Sequence, residues 1–290
     1  MIRPITAILV TSVLMGCATS SDTARDTPAD DGFDLQTMAA VIAGDYVSVR
    51  QPGEIMEMVR LSVDPEPAAP GILLVLTQHR ADSQRVFELY LTPTDSDDRF
   101  DGRFIPLRAD RGSAGPACDM RFRLAAGRLV GETDPGTCRF RSEGWEIGLL
   151  KEIAFDGASV LMADQLLLED GTPFAEQDRL ELARIVHFSG TLAQRDGQAW
   201  RAARNLRVSA GGNLVEPLDA AGMSLGLLLN LELMSRSGSD TPALRLQVLE
   251  EGSGRAMAEV WNSFNADLIG LALDDLRLEL QRESAGFPVP

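Results

Sequence analysis

Apolar and polar residues exchange places at every second position along much of this 290-residue chain, the period of strands with one buried face. Ile55, Glu57, Val59, Leu61 and Val63 alternate with Met56, Met58, Arg60 and Ser62, and residues 71–76 form a more continuously apolar run. Residues 86–91, 120–124 and 160–163 read as further strands. Turn-forming residues fall between them at Asp64-Pro65, 95–101, Asp134-Pro135-Gly136 and Asp156-Gly157. Ahead of these strands, Leu35, Met38, Ala39 and Ile42 recur at helical spacing, with Asp34 placed to cap the helix and Gly44 to stop it. A second strand-like set covers 200–209, 225–233, 244–249, 257–263 and 276–282, the last with Leu276, Leu278 and Leu280 alternating against Arg277, Glu279 and Gln281. The leucines at 227–229 suit a buried helix as well as a strand. Short strands at intervals of roughly ten residues, with one early helix, predict an all-β sandwich or barrel.

The front of the chain has a different pattern. Arg3 supplies a positive charge, and residues 5–13 form an apolar run too short to span a bilayer as a permanent helix, which is the layout of a secretory signal. The run ends in Leu14-Met15-Gly16-Cys17, which resembles the lipobox of bacterial lipoproteins. The resemblance implies cleavage before Cys17, a lipid on its thiol and, with Ala18 following, an outer-membrane destination. The alternative is an ordinary signal peptide in which Cys17 is incidental. Residues 18–33 are rich in Ser, Thr, Asp and Pro and read as a tether, because they bring too little apolar surface to fold. The organisation expected is a leader at 1–17, the tether at 18–33, a barrel at 34–188 and a β-rich region of unassigned role at 189–290.

Composition narrows the classes of partner. A formal charge of −16 argues against nucleic acid and against direct adhesion to anionic headgroups. Of three cysteines, Cys17 is taken by the lipid, which leaves Cys118 and Cys138 as a disulfide pair in an oxidising compartment. His79 and His187 stand alone, so no metal site is expected. The chain has no glycine-rich phosphate loop, nucleophile elbow or zinc-binding helix motif, and Asp97-Asp98 and Asp274-Asp275 read as solvated turns. No catalytic residue can be assigned from spacing alone.

From Leu35 to about Phe174 the order of features resembles the T-type phycobilin chromophore lyases, the CpcT/CpeT family. Four places carry it. Met38-Ala39-Ala40-Val41-Ile42-Ala43-Gly44-Asp45-Tyr46, then Gln51, resembles the opening helix and its exit into the first strand. Thr77-Gln78 and Gln84-Arg85-Val86-Phe87 fall where the family has a strand pair. Ala117-Cys118-Asp119, Val130-Gly131-Glu132-Thr133 and Pro135-Gly136-Thr137-Cys138 reproduce its two-cysteine block, and this is the most specific match. Leu161-Met162-Ala163-Asp164-Gln165 through Asp170-Gly171 resembles its late strand and turn.

The resemblance implies a lipocalin-like antiparallel barrel with a hollow interior that holds an open-chain tetrapyrrole and delivers it to a cysteine of an acceptor protein. No cofactor is implied, the bilin being substrate or ligand. Arg85 would pair with a propionate, Asp164 would accept pyrrole N–H bonds, and Gln84 and Phe87 would complete the ligand-binding set. Read from the residues alone, Arg85 points either into the barrel or to solvent, and Asp164 is either a buried group or a strand-end turn residue. The sequence departs from the family at Asp82 and Ser83, where the family has Tyr and Arg, at Thr77 in place of Glu, and in lacking a Trp after Gly171. Those departures favour an alternative: a non-enzymatic envelope lipoprotein whose barrel holds another apolar or carboxylated small molecule.

Overall fold

Leu35, Met38, Ala39 and Ile42 do make a helix, α1 (Leu35–Ile42), and its inner stripe of Met38, Ala39 and Ile42 is buried. Nearly everything after it is strand. The computed structural model describes residues 35–284 apart from 50–53, 55, 65–70, 81–82, 97, 109–111, 143 and 236–240. The leader at 1–17 with Cys17, the tether at 18–33 and the cap at Asp34 lie outside the described residues.

The first strands are β1 (Gly44–Ser48), β2 (Glu57–Asp64), β3 (Ile72–Arg80), β4 (Ser83–Pro93), β5 (Arg99–Leu107), β6 (Cys118–Ala125), β7 (Arg128–Thr133), β8 (Arg139–Ser142), β9 (Trp145–Phe155), β10 (Ser159–Leu167) and β11 (Asp178–Arg184). They pair antiparallel in the order β10-β11-β1-β2-β3-β4-β5-β6-β7-β9, and β10 also pairs with β9, so ten strands close into a barrel. β8 stands outside the ring, paired to β9 at residues 145–148, while β7 takes residues 152–155 of the same edge. The upper parts of β9 and β10, with β8, therefore rise past one end of the barrel.

The interior is not the open hollow that the resemblance implies. α1 closes one end, and Ile42, Tyr46, Leu61, Leu74, Leu89 and Ile153, with their neighbours, pack that end and the middle solid. Phe122 is part of this filling. A Cβ on Gly131 would lie 2.1 Å from its ring, and one on Gly102 would lie 2.5 Å away, so the flat ring spreads over two strands only because both facing residues are glycines. Arg184 fastens the plug. Its guanidinium donates to the carbonyls of Val41 and Gly157, both at 2.8 Å, and to that of Ala43, which satisfies carbonyls at the helix C-terminus and places a cation there. Gly44 is the adjoining residue, and a Cβ on it would lie 2.7 Å from that guanidinium. Tyr46 donates its hydroxyl to the Ile42 carbonyl, and burial pushes its pKa up to about 12.

The second region comprises β12 (His187–Asp196), β13 (Ala199–Ser209), β14 (Gly211–Val215), β15 (Leu227–Ser235), β16 (Pro242–Glu250), β17 (Ala256–Ser263), β18 (Leu268–Ala272) and β19 (Leu276–Arg282). They form two four-stranded antiparallel sheets, β13-β12-β19-β18 and β14-β15-β16-β17, over one shared apolar core. The leucines at 227–229 are strand: Leu227 and Leu229 are buried in that core, and Leu228 is half-buried on the other face. Val47, Met58 and Ala183, on the outer side of the barrel, pack into the same core. Tyr46 and Val47 are thus buried on opposite faces of β1, one inside the barrel and one outside it. The second region begins with β12 at His187, so residues 187–188 belong to it and not to the barrel as expected.

Candidate binding site at the barrel mouth

Alternation decides which side chains reach the interior. On β4 the inner positions are Arg85, Phe87, Leu89 and Leu91, the last two fully buried and the first two progressively nearer the end opposite α1. On β9 and β10 the register sets Lys151 beside Asp164. The Lys151 ammonium donates to Asp164 Oδ1 at 2.6 Å, with the lysine side chain 3% exposed and the aspartate 38%. The same ammonium lies 4.8 Å from the centroid of Phe104 and 5.5 Å from that of Phe87. Those two rings stack at 5.1 Å with 27° between their planes. A cation on aromatic faces with a carboxylate at its side is stabilised on both counts.

Above this group opens a cavity of about 450 Å³, the size of a small-molecule site. Phe87, Phe104 and Phe140 supply its apolar surface, and the Cys118–Cys138 disulfide forms part of its wall. A recess of about 30 Å³ adjoins it, shares Arg85, Phe87, Lys151 and Asp164 with it, and adds Gln78, Met162, Asp178 and Leu180. Three cations, Arg85, Arg141 and Lys151, line the larger cavity against one carboxylate, Asp164. Arg85 and Arg141 are exposed, and among the described residues neither has an ion-pair partner. A patch of net positive charge in a chain of charge −16 focuses anions on this mouth.

Of the residues expected at a site, Arg85, Phe87 and Asp164 meet at this one cavity. Gln84 does not: it is exposed on the outer face of β4, opposite His79, because adjacent strand residues point to opposite faces. Cys118 and Cys138 are bonded, as the cysteine count predicts. Sequence reasoning missed Lys151, Phe104 and Arg141. For Lys151 a signal was present, since it is the chain's one lysine beside 26 arginines and it interrupts an apolar run. Among the described residues no group of His, Cys, Asp and Glu could hold a metal ion.

Fold and site together define a closed antiparallel β-barrel with a cationic, phenylalanine-lined cavity at its open end. No family profile and no curated protein matches the chain. A solved structure of intact Ap-TbpB (N and C lobes) is similar at 7% identity over 82% of this chain and 75% of the other, with a TM-score of 0.21, too low for the likeness to bear on what this chain does.

Proposed function

We propose that the protein is an exported binding protein that holds a flat, largely apolar, carboxylate-bearing small molecule in the barrel mouth. The observation that carries this reading is the cavity itself, in which Arg85 and Arg141 stand, without an ion-pair partner among the described residues, over three phenylalanines in an otherwise acidic chain. Stacking on the rings would hold the apolar body, and an arginine fork would take a carboxylate bidentately. An open-chain tetrapyrrole with its propionates on the two arginines is the particular ligand that the resemblance to the T-type bilin lyases implies. Its transfer to a cysteine of an acceptor protein is the corresponding activity, favoured by Arg85 and Asp164 lying on one cavity.

Titration with biliverdin tests this. The visible absorption of the bilin should shift on binding at micromolar protein, and Arg85→Ala should weaken binding about tenfold through loss of one charge-assisted pair. An unchanged spectrum at high micromolar protein removes the bilin, and mass spectrometry of molecules carried through native purification then decides whether any other carboxylate occupies the cavity.

The setting belongs to the same proposal. A disulfide persists in oxidising compartments, which supports export, and a lipid on Cys17 would hold the protein at a membrane, the outer membrane being the destination that Ala18 favours. Wild-type protein should sediment with membranes and Cys17→Ser should not; equal partition of the two would discard the anchor.

A further inference from the structure

The site has one feature that binding of carboxylates does not use. Lys151 is the chain's one lysine, it is 3% exposed, and it lines both the cavity and the recess beside it. An ammonium has three N–H donors. Among the described residues its one hydrogen-bond partner is Asp164 Oδ1, and the Phe87 and Phe104 faces take no conventional hydrogen bond. Donor capacity is therefore left at the inner end of the cavity. Arginine, used at every other cationic position, is a wider planar fork that asks for several acceptors at once, whereas an ammonium is a compact donor that fits between two rings and a carboxylate.

Charge decides what that donor takes. Lys151 and Asp164 already neutralise one another, so a second carboxylate placed here would be part-buried and uncompensated, at a cost. A neutral carbonyl oxygen accepts an ammonium N–H with no such cost. We infer that Lys151 selects ligands carrying a neutral carbonyl, a ketone, quinone or lactam, at the end that enters the barrel first, while Arg85 and Arg141 hold the carboxylate end at the rim. The ligand class is thus a flat aromatic or conjugated carbonyl compound with a carboxylate on its far side. This rests on the cavity being a small-molecule site, as proposed above.

Two probes of the same outline separate the ideas: anthraquinone carboxylate, which has the carbonyls, and anthracene carboxylate, which does not. Wild-type protein should bind the quinone about tenfold more tightly, the worth of one hydrogen bond from a charged donor. Lys151→Met should bind both alike, at the affinity of the wild type for anthracene carboxylate. Equal wild-type affinities, both weakened by Arg85→Ala, would overturn the carbonyl inference and leave the binding-protein reading standing. A Lys151→Met protein that weakens both probes equally would overturn it too, by making the lysine a structural residue. Binding of neither probe at high micromolar protein would overturn the carbonyl inference, and the biliverdin titration would then decide the binding-protein reading by itself. Should Lys151→Met fail to give the wild-type far-ultraviolet circular dichroism, the wild-type comparison of the two probes decides alone.

Discussion

Asp164→Ala is expected to destabilise the protein by about 3 kcal/mol in urea unfolding, and Lys151→Met by only about 1 kcal/mol. The asymmetry follows from where each charge is left. Without Asp164, the Lys151 ammonium remains 3% exposed against two phenylalanine rings, and aromatic faces return only part of the solvation that a buried cation has lost. Without Lys151, the Asp164 carboxylate is still 38% exposed and is hydrated by cavity water, while methionine keeps the apolar stem and most of its packing. The double variant has no stranded charge, so it should lie near 1 kcal/mol rather than near the additive value of about 4 kcal/mol. Equal losses from the two single variants would mean that the lysine is not held as the geometry has it.

The sequence reports several of the strands in which one face of the sheet meets solvent and the other meets a core, but not β5, whose residues alternate in the same way and whose start at Arg99 falls inside the 95–101 stretch expected as a turn. β2, β4, β6 and β19 all alternate visibly and fall where the pattern predicts. The pattern fails where both faces are covered. In β1, Tyr46 and Val47 serve two different cores, and in β9 the residues Ile153, Ala154 and Phe155 are buried in succession, so neither shows period two. β8 is only four residues long and carries two arginines. Periodicity alone left sandwich and barrel open, since β1 pairs with β11 across most of the barrel's sequence, with Tyr46 opposite Arg184, and no local signal encodes a contact of that range.

The site divides along the same line. Arg85 and Asp164 lie on β4 and β10, strands that the pattern shows, whereas Lys151 lies in the strand whose two-sided burial hides its phase. Gln84 and Arg85 are neighbours on one strand and cannot both face the interior. Alternation alone excluded one of the pair, and the inward leucines Leu89 and Leu91 say which.

Replacing both bridging cysteines, Cys118→Ala with Cys138→Ala, should cost about 3 kcal/mol, the loop-closure value for a separation of this order, here 20 residues. It should also weaken ligand binding, by a route separate from stability. Cys118 opens β6 inside the ring, while Cys138 leads into β8, which stands outside it. The disulfide is thus the covalent tie between the closed barrel and the strand that carries Phe140 and Arg141 over the cavity. Other bonds keep the turn at 134–137 in place without it. Cys138 N–H donates to the Asp134 carbonyl at 2.8 Å, and Thr133 Oγ1 donates to the Leu149 carbonyl at 2.6 Å. Gly148 lets the Pro135 carbonyl come within 2.5 Å of where a Cβ would stand. The barrel should therefore remain folded in the double variant, with its circular dichroism unchanged, while β8 gains freedom that binding must remove again. Affinity for anthraquinone carboxylate should fall about tenfold. A stability loss of the expected size with binding untouched would reduce the disulfide to a staple and take Phe140 and Arg141 out of the site, leaving Arg85, among the described residues, to meet a carboxylate at the rim.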